Sequence, residues 1–76
     1  MNNNDRKELN KAIALLAEAQ VIIEAIKEGE QDKFDNLSEG LQQTERGLKF
    51  EENVSVLDDV WNNIEDVIDT INQTME

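Results

Sequence analysis

Residues 50–76 read FEENVSVLDDVWNNIEDVIDTINQTME. Apolar side chains recur in steps of four and three, at Phe50, Val54, Leu57, Trp61, Ile64, Ile68, Ile71 and Met75. That is the period of one edge of an α-helix; a half-buried strand would alternate every second residue. The same stretch holds eight acids, Glu51, Glu52, Asp58, Asp59, Glu65, Asp66, Asp69 and Glu76, and no Lys or Arg. The first six are doublets repeating every seven residues, so they keep to one side of the apolar seam. Soluble helices usually intersperse Lys with Glu, because opposite charges at i,i+4 help and like charges hurt by a few tenths of a kcal/mol. Here the favourable pairing is absent from end to end.

Working back from this helix, Thr44 stands at its start as an N-cap, and Asn36-Leu37-Ser38-Glu39-Gly40 is the strongest turn signal in the chain. Leu37 and Leu41 suggest a connection folded onto the core, with a short helical turn starting at Ser38. Upstream, Asp5 followed by Glu8 resembles a capping box. The first helix carries two adjacent apolar stripes, Leu9, Ile13, Leu16 and Ile23 in one, Ala12, Leu15, Ala19, Ile22 and Ile26 in the other. Gly29 is a possible break, at a cost of roughly 1 kcal/mol relative to Ala. The expectation is an all-α antiparallel helical hairpin in a single domain spanning 1–76. Helix one covers about 6–34, the connection about 36–43 and helix two about 45–74.

A double stripe is wider than one partner helix can cover. Val56, Val60 and Val67 widen the seam of helix two in the same way. Each such side chain left in water forgoes about 1.5–3 kcal/mol. Dimerisation of two hairpins into a four-helix bundle is therefore expected, with a self-association seam at Leu16, Ile23, Leu57, Trp61, Ile64 and Ile68. Gln20 interrupts the first stripe, either as a register-setting polar residue in the seam or as a rim residue.

Composition narrows the chemistry. The 76 residues contain no Cys, no His and no Pro, with 18 acids against 7 bases for a net charge of −11. Without Cys there is no disulfide or thiolate metal site, and without His the commonest general base and transition-metal ligand are missing. Residues 40–76 alone carry nine acids and two bases. Such a chain is repelled by nucleic acid and anionic membranes and drawn to basic surfaces. The start Met-Asn-Asn-Asn-Asp lacks the basic and hydrophobic regions of a signal peptide, so a cytoplasmic location is expected, with no membrane contact.

No catalytic residue, metal site or cofactor is expected. Ser38, Ser55, Thr44, Thr70 and Thr74 have no nucleophile motif around them. Carboxylate pairs such as Glu24–Glu28 and Glu65–Asp69 stand at helical spacing, but a bundle metal site needs acids pointing inward from several helices. Val56-Leu57-Asp58-Asp59-Val60-Trp61 is faintly similar to the metal helix of all-helical nucleotide pyrophosphohydrolases, whose first acidic motif is absent from helix one. Phe34 and Phe50 are expected to pack at the hairpin end, with Lys33, Arg46 and Lys49 pairing to Glu30, Asp35 or Glu45.

Residues 30–47, EQDKFDNLSEGLQQTERG, resemble the linker of a family of small acidic proteins from phages and mobile elements of Gram-positive bacteria. Those proteins typically show E-x-F-D-N-L-P-E-G-L-Q-x-S-E-R-G between two amphipathic helices, with Ser38 here in place of the usual Pro. The family is mostly of unassigned function. The resemblance implies a helical hairpin and a phage-like setting, and carries over no catalytic residue.

Two functions follow as expectations. In the first, Glu51, Glu52, Asp58, Asp59, Glu65, Asp66 and Asp69 form a partner-binding face that imitates DNA charge. It would block the nucleic-acid channel of a basic host protein such as a sliding clamp, a nuclease or CRISPR effector, or a repair enzyme, without binding nucleic acid itself. In the second, the chain is a homo-oligomeric structural or adaptor protein whose acidic face serves only solubility.

Overall fold

The computed structural model describes all residues, Met1–Glu76. Three helices follow in order: α1 (Asn3–Asp35), α2 (Glu39–Gln42) and α3 (Glu45–Met75). α1 and α3 pack side by side along their length, and α2 packs on the start of α3. The result is an all-α hairpin 58 Å long and about as thick as two helices, 15 × 13 Å.

The start of α1 differs from expectation. Asn2, not Asp5, is the N-cap: its Oδ1 accepts the Asp5 amide at 2.7 Å, and the helix begins at Asn3. Asp5 instead occupies the first turn, where its charge suits the positive end of the helix dipole. α1 runs through Gly29 without a break, and a Cβ added there would meet nothing within 4 Å. Lengthwise packing on α3 outweighs the weak helix preference of one glycine.

The connection is ordered by side chains. Ser38 caps α2 and Thr44 caps α3. Gln42 Nε2 donates to the Phe34 carbonyl at 3.1 Å, tying the turn back to the end of α1. Gly47 is buried because the first turn of α3 lies directly on the backbone of Gln42. A Cβ at Gly47 would overlap the Gln42 carbonyl oxygen and stand 2.7 Å from its carbonyl carbon and Cα. Gly29 and Gly47 are both helical, yet only the second is required by a close approach.

All eight apolar seam positions of α3 face α1: Ile68 is buried and the other seven are half-buried. They meet Leu9, Ile13, Leu16 and Ile23 of the narrower α1 stripe, also half-buried. The expected self-association residues Leu16, Ile23, Leu57, Trp61, Ile64 and Ile68 therefore all lie in the interface between the chain's own two helices. Only Gln20, Gly47 and Ile68 are buried outright, 3 of 76 residues.

Candidate functional site

Two of the acidic doublets of α3 are split by the fold. In the doublets 58/59 and 65/66 one member meets α1 and the other faces solvent, because the two stand 100° apart around the helix, whereas Glu51 and Glu52 are both exposed. Glu65 is half-buried, and its Oε2 accepts the Gln20 amide at 2.9 Å. The same Gln20 nitrogen reaches the Trp61 carbonyl at 3.2 Å. Gln20 is only 6% exposed, so it belongs to the seam and not to its rim. Two levels along, Lys27 of α1 meets Asp58 at 3.2 Å and Glu24 at 3.3 Å. The hydrogen bond that the Lys27 ammonium donates to Asp58, followed by the one it donates to Glu24, holds that ammonium above its ordinary pKa. Helix two thus receives from helix one a cation that its own sequence lacks beyond Lys49.

The outer members are different. Glu52 has a loose surface contact with Lys49 at 3.7 Å. Glu51, Asp59, Asp66 and Asp69 are exposed, and none of their carboxylates has a hydrogen-bond or ion-pair partner in the chain. Glu52, Asp59 and Asp66 form a row of steps of about 10 Å. Glu24 and Glu28 of α1 line a shallow groove with Val21 and Trp61 on the flank toward which Glu65 and Asp58 lean. This side of the hairpin is one acidic surface drawn from both helices. The two helix-one acids could have been found from the sequence once the hairpin register was known, and only then.

At the loop end, Lys33 pairs with Glu30 at 3.1 Å, as expected, whereas Lys49 turns to Glu52. Arg46 makes no ion pair and sits 5.7 Å from the centre of the Phe50 ring, with Lys33 at 6.0 Å. Asn53 donates to Glu30 at 3.2 Å, and this bond, then the one from Lys33, holds the Glu30 carboxyl below the usual range. No three carboxylates converge in a way that could hold a metal ion. No helix is long and apolar enough to cross a membrane.

Comparison of the chain with protein-family models, with curated proteins and with solved structures finds no match.

Proposed function

We propose that this chain is an inhibitory decoy, presenting DNA-like negative charge to a basic, nucleic-acid-binding host protein and occupying its channel. The observation that most supports this is the set of exposed, unpartnered carboxylates Glu51, Asp59, Asp66 and Asp69 on a helix that lacks any cation beyond Lys49. Asp69 lies toward a helix C-terminus, where the dipole opposes negative charge. Local stability has been given up along this row, as is typical of surfaces selected for binding. DNA carries a charge about every 1.7 Å of axis, so the steps of the row imitate it coarsely, with Glu24 and Glu28 adding a second line. The linker resemblance to phage and mobile-element proteins supports a site of action in the host cytoplasm. A clamp, a nuclease or CRISPR effector, or a repair enzyme has the basic channel required.

The test uses Glu51→Gln, Asp59→Asn, Asp66→Asn and Asp69→Asn together, because none of the four takes part in the Gln20 or Lys27 contacts. The quadruple variant should melt at or above the parent temperature, since like-charge repulsion is relieved. Its affinity for a target captured from host lysate should fall on the order of tenfold or more, with weaker salt dependence. Displacement of labelled DNA from that target, followed between about 50 and 300 mM salt, is the readout. A variant that displaces DNA as well as the parent would leave the acidic row as a solubility surface. The adaptor reading is favoured by a separate observation, the exposed apolar side chains Leu15, Ile22 and Ile26 of α1.

A further inference from the structure

On the flank where Asp58 and Glu65 meet α1, the shallow groove between the helices joins an apolar wall to acidic surroundings. Ala17, Val21 and Ala25 of α1 and Trp61 of α3 line it, and Val21 is 71% exposed. The register that joins Gln20 to Glu65 and Lys27 to Asp58 sets Trp61 level with Glu24. Asp58 and Glu65 stand three residues before and four after Trp61, the spacing of neighbours on one helix face. Glu24 and Glu28 line the groove from α1. Lys27 is the only cation among residues 12–32 and 50–76, and it is shared between Glu24 and Asp58. Glu65 has only the Gln20 amide as partner. Glu28 is exposed and has no hydrogen-bond or ion-pair partner. Four carboxylates therefore share one cation around the single Trp of the chain.

Gln20 makes an independent demand at the same place. It lines the groove although it is only 6% exposed. Its Nε2 is spent on Glu65 and on the Trp61 carbonyl. Its Oε1 accepts no hydrogen bond from the chain and is not sealed from solvent. A free acceptor calls for a donor, and the surrounding carboxylates favour a positive one. We propose that this groove receives an arginine side chain of the basic partner, its guanidinium over the Trp61 ring and donating to Gln20 Oε1 and Glu24. Trp is the best aromatic platform for a cation, effective within about 6 Å of the ring. The planar guanidinium fork reaches an amide oxygen and a carboxylate together and stacks on an indole, whereas a Lys ammonium is a strongly hydrated point charge. The aliphatic stem of an arginine suits the wall of Val21 and its flanking alanines. The proposal rests on the reading of the partner as a basic protein and adds the side chain that anchors it. Attraction at a distance by the exposed row depends on charge, which lysine and arginine share; the groove is where the two differ.

The chain contains one Trp and no Tyr, so its fluorescence reports on this groove directly. Capped hexa-arginine, titrated at about 50 mM salt, should change the Trp61 emission saturably. Capped hexalysine, of equal charge, should bind on the order of three- to fivefold more weakly. Val21→Arg supplies a guanidinium from the chain itself at an exposed position and should abolish the preference for arginine. Glu28→Gln should weaken hexa-arginine binding, whereas Glu39→Gln, which removes the same charge at the loop end, should leave the preference intact. Circular dichroism should show parent helicity in all three, since Val21, Glu28 and Glu39 are exposed. A Trp61 emission indifferent to hexa-arginine, equal affinity for the two peptides, or a Val21→Arg variant that keeps the preference would overturn the proposal. The quadruple variant of the acidic row should retain the preference; its loss there would place the selectivity in the row and overturn the groove. The titration involves neither DNA nor a host protein, so its failure leaves displacement by the row intact, and failed displacement leaves the Trp61 response intact.

Discussion

The two flanks of the hairpin receive very different treatment from the chain itself. On one, Gln20 and Lys27 of α1 reach across to Glu65, Trp61 and Asp58, so polar groups at the seam's edge have partners. On the other, Leu15, Ile22 and Ile26 of α1 and Val56 and Val67 of α3 stay exposed, with Val60 half-buried between the two valines. The contrast comes from geometry. A hydrogen bond needs one correctly placed atom, which a neighbouring helix can supply; covering a stripe of aliphatic side chains needs a surface. Two parallel cylinders touch along a line, so a two-helix fold can satisfy its polar edge and still leave its apolar edge wet.

The hardest way to break this contrast is to break the seam that holds both flanks. Trp61→Asp puts a charge where a half-buried indole packs and should cost at least the 3–5 kcal/mol of a large-to-small core change. That is comparable to the whole stability of a small domain. Far-UV circular dichroism should show loss of most helix, and a variant of full helicity would show that Trp61 contributes little to packing. Gln20→Leu tests the polar flank alone. It keeps the volume but leaves the half-buried Glu65 carboxylate and the Trp61 carbonyl without their donor, at about 1–3 kcal/mol. Thermal melts would read the loss; an unchanged midpoint would mean that water replaces the amide.

The smallest effect is a pH dependence at the loop end of the apolar flank. Glu30 has a lowered pKa in the folded chain through Asn53 and Lys33. Its stabilisation is therefore present above the unfolded pKa, and it is lost as pH falls through the lower folded value. The stability difference between the parent and Glu30→Gln should be seen at neutral pH and close on acidification below about pH 4. Glu30 is half-buried but its Lys33 partner is exposed, so the difference is small and shrinks further in salt. A difference that persists unchanged at pH 3 would remove Glu30 from the account.

The regular spacing of Phe50 to Met75 was sufficient to identify the second helix, its inner edge and its length, because helical periodicity is a property of neighbouring residues. Ser38 and Thr44 as caps were legible for the same reason. The true N-cap was harder, since Asn2 and Asp5 both offer an acceptor oxygen, and helix boundaries depend on which one the backbone reaches. The continuity of α1 through Gly29 and the need for Gly47 were not legible, because each depends on what lies alongside. Seven carboxylates named from the sequence as one binding face proved to be of two kinds. Glu65 and Asp58 are held by α1, whereas Glu51, Asp59, Asp66 and Asp69 are free.

Sequence alone thus determined the all-α hairpin, its strongly acidic second helix and the surplus of apolar surface, all of which follow from local composition and period. Only the tertiary structure decided which apolar stripe closes the hairpin and which stays open, and which acids find a cation. Those outcomes depend on the antiparallel register between residues 23 to 45 positions apart, here set by Gln20–Glu65, Lys27–Asp58 and Glu30–Asn53. No run of neighbouring residues encodes that register, because it is the sum of contacts made only once the two helices lie together.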